Sequence, residues 1–174
     1  MAPRLSEDEV DDLLYSARTG EKDDLTSLLA ALAEREKASP ADILSSAKDE
    51  GKSTSLHMAT GNGHLEIVNM LLSHFELRPS EEKQAFLDAS NEYGNTGLHW
   101  AAMGGHLPVV KVLVEAGASV ALENDKNYVP LDLANLGDKF GVVNYFLEQS
   151  GMLETKNGED GLNGAVADVE LEDD

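Results

Sequence analysis

Apolar residues in this chain fall in a helical rhythm, and the rhythm itself recurs. Residues 54 to 72 read TSLHMATGNGHLEIVNMLL, and residues 96 to 114 read TGLHWAAMGGHLPVVKVLV. Thr54, His57, Gly63 and His64 each stand 42 residues before Thr96, His99, Gly105 and His106. A fainter copy, VPLDLANLGDKFGVVNYFL at 129 to 147, follows 33 residues after the register of Thr96. Another, DDLLYSARTGEKDDLTSLL at 11 to 29, precedes Thr54 by 43. In all four copies an apolar residue lies five positions after the glycine slot: Leu25, Val68, Val110 and Val143. An apolar pair follows at eight and nine: Leu28-Leu29, Leu71-Leu72, Leu113-Val114 and Phe146-Leu147. That spacing is the stripe of an amphipathic helix.

Each copy therefore predicts a helix pair. Thr54 and Thr96 are N-cap residues whose hydroxyls can take an orphan helix amide, and Pro130 suits a first helical turn. Gly63 and Gly105, which permit positive φ, end the first helix, and the second returns antiparallel. One such hairpin cannot cover its own apolar face, so four in a row predict a curved solenoid with a continuous core and atypical ends.

The stretches Thr54-Ser55-Leu56-His57-Met58-Ala59 and Thr96-Gly97-Leu98-His99-Trp100-Ala101 match T-P-L-H-x-A except at the proline. The last copy keeps Val129-Pro130-Leu131-Asp132-Leu133-Ala134. On these motifs the sequence resembles the ankyrin-repeat family, whose period is about 33 residues. The resemblance implies an all-α ankyrin-repeat solenoid of helix-turn-helix repeats with hairpin finger loops, four repeats with degenerate caps. The expected domain covers 1–150, with repeats at about 6–37, 49–78, 91–123 and 124–150 and an acidic, disordered tail at 151–174. It also implies that His57 and His99 hydrogen-bond backbone of the adjoining finger loops. Asp132 stands where the last repeat should carry that histidine, so the bonding there must differ.

Two junctions, 38–48 and 79–90, exceed the family period by about ten and nine residues. The first offers Ser39 as N-cap, Pro40 at N1 and Asp42 at N3; the second offers Ser80 as N-cap with Glu81 and Glu82 in the first turn. Each predicts one or two extra helical turns, as a surface insertion or as part of a binding face.

Charge is the outlier in the composition. The chain has 33 acidic and 13 basic residues, a formal net charge of −20. Nucleic acid is a poor ligand for such a surface, because phosphate binding needs Lys and Arg, and a cationic partner is the natural inference. No apolar run approaches the ~20 residues that span a bilayer, and the N-terminus has no basic segment followed by an apolar one, so no membrane association is expected. The absence of cysteine excludes disulfides, thiolate metal sites and cysteine nucleophiles. A metal site would need His57 with His64, or His99 with His106, plus a carboxylate in open geometry, and their recurrence at repeat slots points to architecture instead. His74 is isolated and expected at the surface. With no phosphate-loop or G-x-S-x-G string, no catalytic residue, cofactor or metal is expected, and the chain reads as a binding protein rather than an enzyme.

Register locates a candidate partner surface. The slot after the motif histidine holds Tyr15, Met58, Trp100 and Leu133; three positions on come Arg18, Gly61, Met103 and Leu136. Finger tips contribute Glu50, Glu92, Tyr93, Asp125 and Tyr128. An apolar strip fringed by acids fits an amphipathic basic helix or extended basic segment, while the same slots can equally serve packing between repeats. Small size, two elongated junctions and the quoted motifs also resemble the small fungal ankyrin-repeat chaperones of the KH-domain ribosomal protein of the small subunit. That resemblance implies ribosome biogenesis, a monomeric chaperone for a basic ribosomal protein, and a cytoplasmic and nuclear location. The alternative is an ankyrin scaffold or inhibitor docking a signalling or transcription protein.

Overall fold

The computed structural model describes residues 1–151, all of them helical, turn or irregular. The expected acidic tail lies outside the described residues from position 152 onward. Four helix pairs run in chain order: α1 (Glu7–Thr19) with α2 (Lys22–Glu36), α4 (Ser55–Gly61) with α5 (Leu65–Ser73), α7 (Gly97–Gly104) with α8 (Leu107–Ala116), and α9 (Pro130–Leu136) with α10 (Phe140–Gln149). Between the first two pairs sits α3 (Pro40–Ser46), and before the third sits α6 (Ser80–Leu87). Helices α1, α4, α7 and α9 form an inner row that packs closely from neighbour to neighbour, while α2, α5, α8 and α10 form a sparser outer row. Side chains from both rows make one continuous core running from Val10 to Phe146.

The caps explain why the chain breaks where it does. Thr54 and Thr96 accept from the backbone N–H of His57 and His99 at 3.4 Å, which starts α4 and α7. Gly20 and Gly105 close α1 and α7 in the left-handed region, at φ 80° and 72°. Asp138 occupies the same slot in the last repeat and takes φ 55°, a conformation that aspartate tolerates better than most residues.

The two junction helices belong to the core. Ser39 accepts from the N–H of Asp42 at 3.2 Å and Asp42 accepts from that of Ser39 at 3.1 Å, the reciprocal cap expected of α3. Ile43, Leu44 and Ala47 are buried completely beneath it. On α6, Phe86 stacks on Phe75, with ring centres 4.4 Å apart, and Leu87 is buried beside it. The N-cap of α6 is Pro79, in an extended conformation, and Ser80 is already its first helical residue, one position from the sequence expectation. Arg78 ties the two helices, donating to Glu82 at 2.7 Å and to Asp42 at 2.9 Å. His74 is half-buried rather than exposed, and loss of water holds its imidazole below the usual value.

Candidate functional site

Three hairpin fingers project beyond the inner row, at 49–53, 91–95 and 124–128, and one design recurs in all. The N–H of Asp49, Asn91 and Asn124 bonds the carbonyl of Ser53, Asn95 and Tyr128 at 3.1, 2.9 and 2.9 Å. Asp49 accepts from the N–H of Ser53 through its side chain, while Asn91 and Asn124 each take two backbone donors of their own finger. Lys52, Gly94 and Asn127 supply the positive φ that the turn requires, at 62°, 75° and 62°.

Fingers are hung on one another and on the inner helices. Glu92 N–H donates to the Gly51 carbonyl at 2.8 Å, and Asp125 N–H to that of Tyr93 at 3.0 Å. His57 Nδ1 accepts from Thr54 N–H at 3.1 Å, so its Nε2–H is free to donate to the Asn95 carbonyl at 2.8 Å. His99 does the same between Thr96 and Tyr128, at 3.1 and 2.9 Å. Burial holds both imidazoles below the ordinary value, which favours the neutral form this relay needs. Asp132 keeps only the first half: its carboxylate accepts from Val129 N–H at 2.9 Å. No finger follows among the described residues, so position 132 has no carbonyl to supply and no use for a second donor.

His64 and His106 have a different task. Their Nε2 atoms reach the carbonyls of Arg18 and Gly61, at 2.7 and 3.0 Å, and so satisfy the C-terminal end of the preceding inner helix. The adjacent glycines make room: a Cβ on Gly63 would lie 2.6 Å from His106 Nδ1. These four histidines are thus spread along two hydrogen-bond lines, and among the described residues no group of three or more His, Asp or Glu converges as a metal site.

The sequence-selected strip divides in two. Tyr15, Met103 and Leu136 are more than half exposed, at 53%, 51% and 65%. Met58, Trp100 and Leu133 are half-buried. Trp100 lies over Gly61, where a Cβ would come within 2.9 Å of its ring, and meets His57 edge-on with ring centres 5.3 Å apart. It therefore serves packing on one side and solvent on the other. With Gly61, Asn62, Met103 and Gly104 it lines a shallow depression of about 330 Å³. Arg18 stands 6.0 Å from the Tyr15 ring, a cation beside the strip's N-terminal end. At the fingers, Glu50, Glu92, Asp125 and Tyr93 are exposed, and Tyr128 borders on exposure. The ladder bonds bring Glu92 against Gly51 and Tyr93 against Asp125, so the acidic tips form one fringe.

Sequence reasoning missed the N-terminal strap. Glu36 accepts from Arg4 N–H at 2.9 Å, and Arg35 donates to the Arg4 carbonyl at 3.1 Å and ion-pairs with Glu9. The guanidinium beside Glu9 holds that carboxyl down to about 2. The strap forms one wall of a larger cleft of about 600 Å³, whose other wall is the first finger.

A stack of helix pairs whose outlying hairpins are joined by a backbone ladder is a protein-binding solenoid, and the chain belongs to the ankyrin-repeat family. The family model for ankyrin repeats matches residues 6–124 and 81–157. In particular, the chain is similar to the ankyrin repeat-containing protein YAR1 of Saccharomyces cerevisiae, 35% identical over 86 residues. That alignment takes in 48% of this chain and 40% of the relative, so the match spans less than half of the curated protein's length. It is also similar to a chain in the crystal structure of the yeast ribosomal protein Rps3 in complex with its chaperone Yar1. There the TM-score is 0.78 and the identity 32%, over 88% of this chain and 100% of the solved one.

Proposed function

We propose that this protein is a dedicated chaperone that binds and shields a basic ribosomal protein of the small subunit, a KH-domain counterpart of Rps3, before assembly. The observation that carries this is the likeness, over 88% of the chain at 32% identity, to a chain from the complex of Rps3 with its chaperone. Exposed apolar residues at Tyr15, Met103 and Leu136, together with exposed acids on the finger tips of a chain of net charge −20, support this reading. A basic client would set its apolar side on the strip and its Lys and Arg toward the fingers. Those cations are the groups that would otherwise neutralise RNA phosphates, so binding withdraws the client from stray RNA. The protein acts by binding rather than by catalysis, in cytoplasm and nucleus.

Affinity purification with mass spectrometry tests the partner: one stoichiometric basic ribosomal protein is expected, and a signalling complex in its place would refute the proposal. Mixing the client with RNA, with and without this chain, tests shielding. Mutually exclusive binding is expected, and a stable ternary complex would refute shielding.

A further inference from the structure

The finger ladder is open at its first rung. In fingers two and three, the N–H at one slot, Glu92 and then Asp125, donates to the carbonyl of the preceding finger. The equivalent position in the first finger is Glu50, and no finger precedes it among the described residues. Among the described residues, the Glu50 N–H makes no hydrogen bond. The residues at that register, 6–10, form the cap and first turn of α1 instead, and the segment before them is strapped along the end of α2 by Arg35 and Glu36. The gap left over is the cleft of about 600 Å³. Its N-terminal wall is lined by Leu5 of the strap with Glu7, Asp11 and the buried Val10 of α1, and its finger side by Asp49 and Glu50. Four of those six are carboxylates, and Lys48 is the one cation on the cleft lining.

We infer that this cleft binds an extended, Lys- or Arg-bearing peptide segment, which takes the place of the missing finger by offering a backbone carbonyl to the Glu50 N–H. An edge that lacks one strand is completed by extended backbone, and side chains alternate to either face of such a segment. One face would meet Pro3 and Leu5; cations on the other would meet the four carboxylates. A second copy of this chain is a poor occupant. Its Lys126 carbonyl is the matching open acceptor at the far end of the ladder, but two bodies of net charge −20 repel. The identity of the segment, as part of the ribosomal client, rests on the proposed function; the chemistry of the cleft does not.

Glu50→Pro is the decisive variant. Position 50 follows Asp49, whose carbonyl accepts from Lys52 N–H at 2.9 Å, so it is the second residue of a β-turn, where proline is favoured. The substitution removes the open donor without disturbing the turn, and Glu50→Ala controls for the lost carboxylate. Glu7→Gln with Asp11→Asn removes two charges at exposed positions. The measurements are calorimetric affinity for the basic ribosomal protein and amide exchange of the isotope-labelled chain. Expected are slower exchange at Glu50 in the complex, and binding about fivefold weaker in Glu50→Pro than in Glu50→Ala. Loss of the two charges should weaken binding further at low salt than at high salt. If Glu50→Pro binds as Glu50→Ala does and Glu50 exchanges equally fast free and bound, the inference is overturned while the chaperone reading stands. If the ribosomal protein does not bind the wild type at all, that reading falls. The cleft is then judged with an acetylated, alternating Lys-Val hexapeptide: a saturable shift of the Glu50 amide, absent with the Glu-Val peptide, supports it. No shift, or a shift that follows protein concentration without peptide, overturns it.

Discussion

Replacing His99 with leucine separates the finger relay from ordinary core packing. Leucine fills much of the imidazole's volume but offers neither acceptor nor donor, so two bonds to backbone vanish together with the 2.9 Å contact to the Thr96 hydroxyl. One is the 3.1 Å bond from Thr96 N–H, in a residue only 2% exposed, where an orphaned donor costs about 1–3 kcal/mol. The other is the 2.9 Å bond to the Tyr128 carbonyl; Tyr128 is 36% exposed, so water takes up the acceptor and the loss is about 1 kcal/mol. The expected cost is about 2–4 kcal/mol, a large part of the ~5–15 kcal/mol that holds a domain folded. Asp132→Leu is the internal control. It removes one bond at a half-exposed site and should cost about 1 kcal/mol or less. Urea unfolding at pH 7.5, followed by far-ultraviolet circular dichroism, measures both, with an unchanged denaturant slope confirming that the same surface unfolds. The reasoning is refuted if His99→Leu lies within about 0.5 kcal/mol of wild type, or if the two variants are equally destabilised.

Acidification should unfold the protein through the same histidines. Because burial depresses His57 and His99 below 6.5, the unfolded chain takes up protons first; stability is complete above 6.5 and declines as pH falls through it. The melting temperature should therefore drop between about pH 7 and 5.5, and the slope should flatten in a variant with both imidazoles replaced by glutamine. Gly63→Ala should cost about 2 kcal/mol, since it combines strain at φ 71° with a clash at His106, whereas Gly151→Ala, at φ 76° with open space around it, should cost only the backbone part. Thermal melts of the two variants check this. Trp100→Ala should leave the fold intact by circular dichroism and weaken client binding by about 2 kcal/mol, mostly as faster dissociation; wild-type binding by the folded variant would refute the strip.

Local chemistry made much of the fold readable from the chain. Thr54, Thr96 and Ser39 carry their capping partners three residues away, and Gly20 and Gly105 sit at the left-handed positions they alone accept without strain, so each signal lies within a few residues of its effect. The α6 start was displaced by one because Pro79 and Ser80 are both acceptable boundary residues, and only the backbone decides between them. The recurrence of His64 and His106 already pointed to architecture rather than a metal; their glycine neighbours were the readable sign that each imidazole crosses to the previous repeat. The cleft left no such sign. Its walls are far apart in the chain, held by Arg4, Arg35 and Glu36, and nothing in a repeating pattern announces the rung that is absent.

Helices α3 and α6 constrain how this molecule can change in length. A solenoid of identical units can gain or lose one by duplication or excision, since each junction fits every other. Here Ile43, Leu44, Phe86 and Leu87 fill the interior from the junctions themselves, and Arg78 stitches the two insertions across a whole repeat. Excising either junction to restore even spacing would hollow the core, and copying a repeat would set an α3 seat against an α6 occupant. The units are no longer interchangeable parts, and any change in their number would have to rebuild the core at the junctions.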